Sequence, residues 1–246
     1  EESAPQVRLR AQRLGEIPDT LWLLCETEVE TVLEETRKHG PDAVIVDSIQ
    51  TATISTASGA PGAVTQVRES ALAYLDLAKG AGVPVFLDEL LVKPENSLVR
   101  QSLAARHTPL KTQGDGFGLG WYGERGTPGL YRDVMPAWND ANLRELAEQT
   151  RSHLFLAHVR ASTGAPPARI NCHPFRVGDW LFMHNGQIGG YDRIRRELDM
   201  RIRPDLYDYR RGGTDSEAIF LLALGHGMDA DPAGALALAV AEVEAL

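Results

Sequence analysis

The 246-residue sequence has little cysteine, only Cys25 and Cys172, and one pair cannot build the disulfide framework of a small secreted scaffold. No apolar run approaches the roughly 20 residues that a membrane span needs. The opening Glu1-Glu2-Ser3-Ala4-Pro5 has neither the basic nor the apolar region of a signal peptide. These absences point to a cytoplasmic chain with no membrane role. Basic charge is also short: 25 Lys+Arg stand against 34 Asp+Glu, net −9, which repels phosphate backbones. Residues 1–87 hold 7 Lys+Arg against 13 Asp+Glu, net −6, and the remainder holds 18 against 21, net −3. A nucleic-acid role would need a local basic patch, and the first stretch has little material for one.

Two further absences concern chemistry. No Gly-x-x-x-x-Gly-Lys-Ser/Thr occurs, so the chain contains no loop to cradle phosphates and no lysine placed to meet them. His158, Cys172, His173 and His184 are of ligand type, but no Cys-x-x-Cys or His-Glu-x-x-His spacing appears and an adjacent Cys-His pair seldom coordinates together. No metal site is expected.

What is present falls into two textures that meet near Leu87. Up to that point, three apolar runs of strand type, Leu21–Leu24, Ala43–Val46 and Val83–Leu87, alternate with helical patterns over roughly 4–14, 28–39 and 64–79. Short, fully apolar strands alternating with helices predict a parallel sheet covered on both faces. Gly40-Pro41 stops the helix before it. Asp47 closes the run Ala43–Val46, where an acid either helps hold Mg²⁺ beside nucleotide phosphates or is simply a loop residue. The stretch Ala52–Ala63 reads equally as a mobile loop and as a flexible crossover. Cys25, inside an apolar run, reads as a small buried residue.

From Asp88 onward glycines cluster, Gly114-Asp115-Gly116-Phe117-Gly118-Leu119-Gly120, which suggests a strand approached closely by another backbone or a ligand. Further strands are predicted at 129–134, 153–160 and 179–184. Helices are predicted at 140–150, 190–200, 214–225 and 232–245, the last with Asp231 as its cap and Pro232 at its first position. Strands in runs followed by helices indicate α+β layers.

Three local groups carry possible chemistry. A strand end delivers Arg160, either a fork for a carboxylate or one half of an ion pair. Asn185-Gly186 closes the apolar run Trp180–Met183, and reads either as a hairpin turn or as two donors aimed at an oxyanion. Thr214-Asp215-Ser216-Glu217 is a capping box, which accounts for Thr214 and Glu217 but leaves Asp215 available to hold an ammonium. An arginine fork, two oxyanion donors and an acid suit a free amino acid with a side-chain carbonyl.

Two resemblances follow. Glu1–Ala4 with Gln6-Val7, Leu21–Leu24, Val46–Thr51 and Gly62–Glu69, in order and at near-constant spacing, resemble the RadA family of bacterial DNA-repair ATPases. The likeness implies that 1–87 is the middle of a RecA-like core, with Mg-ATP and single-stranded DNA as partners of the complete family fold and Asp47 beside the nucleotide. Lys93–Leu98, Gly114–Gly118, His158–Thr163, Asn171–Phe175, His184–Gly186 and Thr214–Glu217 resemble the class II glutamine amidotransferases. That likeness implies an αββα sandwich of the N-terminal-nucleophile kind over 88–246. It also implies glutamine as the ligand, with Arg160 on its α-carboxylate, Asp215 on its α-ammonium, and Asn185 and Gly186 as the oxyanion hole. The family's nucleophile is a cysteine whose own α-amine is the base; the two groups have pKa values of about 8.5 and 7.7–8.0, so proton transfer between them is nearly balanced. Residues 80–88, just before the resemblance begins, contain no Cys, Ser or Thr, and Cys25 and Cys172 lack a free amine. The expected protein is therefore an amidotransferase-like domain without its first strand and unable to hydrolyse glutamine. The alternatives are a DNA-repair ATPase remnant or a non-functional fusion of the two, with both chain ends reading as cut.

Overall fold

Residue contacts divide the chain into Glu1–Gly82 and Val83–Leu246, five residues earlier than the seam read from the text. The computed structural model describes residues 4–13, 17–46, 49–81, 83–104, 112–161 and 165–246.

Among its described residues the first unit holds three α-helices, α1 (Ala4–Gln12), α2 (Val29–His39) and α3 (Val64–Ala81). Helix α2 stops where Gly40 turns left-handed at φ +56° and its N–H donates to the Thr36 carbonyl at 2.9 Å. Val29, Leu33 and Ala52 form a small core, packed by Tyr74 and Leu77. Gln66 is buried, and its amide holds the 52–63 stretch. It accepts from the Ile54 N–H at 2.7 Å and donates to the Ala57 carbonyl at 2.7 Å.

The expected parallel sheet is not formed among the described residues. Its whole trace is one parallel bridge, Glu28↔Thr53. Leu21–Leu24 and Val44–Val46 are unpaired and exposed, Ile45 to 91%. An apolar strand of a parallel sheet is stable only with strands hydrogen-bonded beside it and helices on both faces, and three helices with one bridge supply neither. Cys25 is accordingly exposed, not buried.

The second unit runs β1 (Val85–Phe86), α4 (Asp88–Leu91), α5 (Leu98–Leu103), β2 (Phe117–Tyr122), β3 (Gly129–Asp133), α6 (Ala141–Gln149), β4 (Arg151–Ser152), β5 (Leu154–Val159), β6 (Phe175–Val177), β7 (Trp180–Phe182), α7 (Tyr191–Arg201), α8 (Pro204–Tyr207), α9 (Asp215–Gly225) and α10 (Pro232–Glu244). The seam strand, expected to extend the first sheet, pairs instead with β4, antiparallel, Val85 opposite Ser152. Leu87 decides this. It is fully buried among Leu91, Phe117, Leu119, Leu143 and Ala147, and its N–H donates to the Thr150 carbonyl at 3.0 Å. The first unit offers that side chain no such core.

The central sheet has the order β3-β2-β5, antiparallel throughout. Alternation along β2 gives it two unlike faces. Phe117, Leu119 and Trp121 pack with residues of α4, α5 and α6. The glycine face meets the 172–174 segment and β7. A Cβ on Gly118 would lie 1.9 Å from the His173 carbonyl oxygen, and one on Gly120 would lie 2.8 Å from Pro174 and Leu181 side-chain atoms. Beyond the glycines comes the hairpin β6–β7, turned by Gly178-Asp179 with Gly178 at φ +55°. Its outer face packs on α7, α9 and α10, with Phe182 stacked on Phe220 at 5.0 Å. The order of layers is helices, sheet, hairpin, helices. Helix α9, buried from Ser216 to Ala223, is apolar on all sides because neighbours surround it. No helix among the described residues is long and apolar enough to cross a membrane.

The close approach at Gly118 is directly testable. Gly118→Ala forces its methyl into a backbone carbonyl, so it should cost about 3 kcal/mol or more in chemical denaturation. Gly126→Ala, with nothing within 4 Å of the added carbon, should stay within about 0.5 kcal/mol. Equal costs for the two would show that the 172–174 segment is not held against β2.

Candidate functional site

Arg160 directly follows β5, and its backbone extends the ladder: its N–H donates to the Gly116 carbonyl at 2.9 Å and its carbonyl accepts from the Asp115 N–H at 3.1 Å. The side chain is buried, 6% exposed. Its Nη2 donates to the Ala165 carbonyl at 2.7 Å, and Nη1 lies 3.5 Å from the carbonyls of Pro166 and Asp115. These backbone carbonyls help to fix the guanidinium. Ser162 and Thr163 of the same motif, and Asp47 of the first unit, lie outside the described residues.

Asp215 opens α9. Its Oδ2 accepts from the Ile188 N–H at 2.7 Å and its Oδ1 from the Ser216 N–H at 2.8 Å. Ser216 Oγ shares a hydrogen bond with His184 Nδ1 at 3.0 Å. The loop carrying Asn185 and Gly186 is therefore tied to the start of α9 on both sides, at His184 and at Ile188. Asn185 and Gly186 themselves are exposed. They do not make the hairpin that their dipeptide suggests, because β7 ends at Phe182 and the chain is drawn across to α9. The tight turn is made by Gly178-Asp179 instead.

The capping box is half formed. Thr214 Oγ1 accepts from the Glu217 N–H at 3.2 Å, as a cap should. Glu217 does not reach back; its Oε2 accepts from Arg210 Nη1 and from the Gly212 N–H, each at 2.8 Å. A buried arginine outcompetes a backbone amide for a buried carboxylate because both charges would otherwise go uncompensated. Arg210 also donates to Asp199 at 2.9 Å and to the Tyr191 hydroxyl, so the segment before Asp215 is bolted to α7.

Arg160 and Asp215 are joined by a residue that sequence patterns do not single out. Asn171 is buried, 3% exposed; its Nδ2 donates to the Pro166 carbonyl and its Oδ1 accepts from the Gly213 N–H, both at 2.9 Å. The Pro166 carbonyl also faces Arg160, and Gly213 lies two residues before Asp215. One amide therefore bridges the segment of the arginine and the segment of the acid. A lone Asn in an irregular stretch has no periodicity to betray it, so only the fold identifies this role.

Within reach of the Arg160 charge, His173 packs ring to ring with His158 at 4.6 Å. Burial drives the His173 pKa down to about 3, helped by the charges of His158, His184, Arg160 and Arg132. Burial and Arg160 drive His158 down to about 4. Neither nitrogen of His173 has a hydrogen-bond partner among the described residues. Cys172 is buried, with Sγ directed at the Asp133 and Ala168 carbonyls, and burial pushes its thiol up, Arg160 and Arg132 only partly opposing this. A buried thiol of raised pKa is a poor nucleophile. No group of three or more His, Cys, Asp or Glu able to hold a metal occurs among the described residues.

The two neutral imidazoles give a pH signature. Their folded pKa values lie below the unfolded value of about 6.5, so the unfolded chain binds more protons between roughly pH 4 and 6.5. Stability of the second unit should be full above pH 6.5 and fall on acidification through that window. Denaturation midpoints measured from pH 7 to 4.5 should show this, with the dependence flattened in His173→Gln; a wild-type midpoint independent of pH would contradict the buried, neutral pair.

The family model described as glutamine amidotransferases class-II matches residues 92–240. The probable glutamine amidotransferase DUG3 of Saccharomyces cerevisiae is 41% identical over 152 residues, covering 57% of this chain and 42% of that protein. A solved glutamine aminotransferase class-II domain protein from Silicibacter pomeroyi is 45% identical, with a TM-score of 0.51, covering 65% of this chain and 59% of that one. The DNA repair protein RadA of Streptococcus pneumoniae is 42% identical over 87 residues, which is 35% of this chain and 21% of RadA. The chain thus spans under half of DUG3 and about a fifth of that RadA. With the family model matching more than half of its length, the chain belongs to the class-II glutamine amidotransferases.

Proposed function

We propose that residues 88–246 bind glutamine without hydrolysing it. Arg160 grips the α-carboxylate, Asp215 the α-ammonium, and Asn185 and Gly186 face the side-chain carbonyl oxygen as an oxyanion hole. One observation carries the reading: the hydrogen-bonded path from Arg160 through the Pro166 carbonyl, Asn171 and Gly213 to the Asp215 turn. It fixes a cationic group and an anionic group at a set separation, which is what a zwitterionic amino acid requires. The layer order supports an αββα sandwich of the N-terminal-nucleophile kind without its first strand. In an intact enzyme of this type, a thiolate attacks the side-chain carbonyl, ammonia leaves, and water hydrolyses the thioester. Here residues 80–88 offer no Cys, Ser or Thr, Cys172 is buried and Cys25 belongs to the other unit.

Calorimetry of the 246-residue chain with L-glutamine should give a single site, weakened at least about tenfold in Asp215→Asn, since truncating one partner of a charge-assisted pair costs about 2–5 kcal/mol. No ammonia should appear above background, because losing the nucleophile in an acyl-transfer enzyme costs on the order of a million-fold. Absence of binding would sink the glutamine reading. Glutamine-dependent ammonia release abolished by Cys25→Ser or Cys172→Ser would show instead that a cysteine has been recruited.

For the first unit we propose no working nucleotide site and no cofactor, despite its likeness to RadA. The chain contains no phosphate-binding loop, and residues 1–87 carry net −6, which argues equally against DNA as a partner. Mg-ATP at micromolar protein should give no heat of binding; a single-site isotherm abolished by Asp47→Ala would overturn this. Two thiols with no disulfide fit a cytoplasmic protein.

A further inference from the structure

Three arginines from three segments line a cavity of about 70 Å³ in the second unit: Arg132 of β3, Arg176 of β6, and Arg211 between α8 and α9. That is about five times the space one water needs, enough for a compact polyatomic anion. None of the residues proposed to hold glutamine lines it. In a chain with 34 acids and 25 bases, arginines have carboxylates to choose from. Yet none of these three forms an ion pair among the described residues, while Arg169, Arg203 and Arg210 each do.

The acid in the lining offsets them only in part. Glu217 is already committed to Arg210 and to the Gly212 N–H. Backbone carbonyls orient two of the arginines and leave their charge intact: Arg132 Nη1 donates to the Cys172 carbonyl at 2.9 Å, and Arg176 Nη1 to the Pro128 carbonyl at 2.9 Å. Burial disfavours the charged form of Arg132 most; Cys172 and Glu217 partly offset this, and the positive charges of Arg176 and Arg169 add to it. An anion in the cavity would relieve that crowding. The walls include the buried rings of Phe175 and Phe220, which lower the local dielectric and strengthen any charge–charge attraction.

We propose that this cavity is a binding site for a compact phosphate dianion, either free phosphate or the head of a small phosphomonoester. Guanidinium forks converging from three segments match the several oxygens of a tetrahedral anion. A monocarboxylate would meet only one fork and cancel one charge.

The test is calorimetry of the full chain with inorganic phosphate, in parallel with glycerol phosphate and with sodium chloride at matched ionic strength. Phosphate should titrate one saturable site that chloride does not. Tighter binding of the ester assigns the natural ligand to phosphomonoesters, and weaker binding assigns it to free phosphate. Arg211 is exposed and Arg211→Gln leaves no buried group unsatisfied, so its unfolding midpoint should be unchanged while its affinity falls at least fivefold. Arg176→Gln, which also gives up the bond to the carbonyl of the buried Pro128, should lose affinity likewise, and Arg193→Gln on α7, which does not line the cavity, should bind as the wild type does. A phosphate signal no larger than that of chloride, or equal affinity in wild type and Arg211→Gln, overturns the proposal.

Discussion

The second unit rests on the meeting of two backbones. Strand β2 and the residue before it present Gly116, Gly118 and Gly120 to the 172–174 segment and β7, and a single methyl on Gly118 would overlap the His173 carbonyl. That spacing brings the hairpin β6–β7 flat against the central sheet, and with it α9 and its first residue, Asp215. It also buries His173, Cys172 and His158, whose neutrality is a consequence of the same contact. A larger side chain anywhere on that glycine face would lift the hairpin and separate Arg160, on the sheet side, from Asp215, on the helix side.

A second level of constraint is polar. Packing alone leaves the turn before α9 adjustable, and two buried side chains remove that freedom. Asn171 ties Gly213 to the segment beside Arg160, and Glu217 ties Gly212 to Arg210 and so to α7. Buried hydrogen bonds of this sort add little net stability each, but a lost partner is costly, so they hold a geometry firmly. The cost falls on the helix cap, where Glu217 gives up its usual reciprocal bond to the Thr214 backbone.

The two units differ in how well their sequences are served by their surroundings. In the second, Leu87 finds a closed core and the strand before it finds β4. In the first, Leu23 and Ile45 have strand-like composition but no strand paired beside them among the described residues, and they stay exposed. Burying apolar surface at about 25 cal/mol per Å² is what orders such runs, and here that gain is not collected. The unit is held by the small Val29–Leu33–Ala52 core and by Gln66.

By itself, the sequence determined the elements whose signals are local. Helices expected at 190–200, 214–225 and 232–245 lie at Tyr191–Arg201, Asp215–Gly225 and Pro232–Glu244, with Thr214 and Asp231 as caps, because capping and periodicity depend on near neighbours. The glycine spacing likewise announced a close approach before its partner was known. Tertiary structure decided everything that needs a distant partner. It took the seam strand Val85–Phe86 away from the first sheet, left Leu21–Leu24 and Ala43–Val46 unpaired, and moved the hairpin from Asn185-Gly186 to Gly178-Asp179. It also gave Glu217 to Arg210 and made Asn171 a bridge. Strand pairing and buried hydrogen bonds are contracts between residues far apart in the chain, and a local pattern states only one side of each.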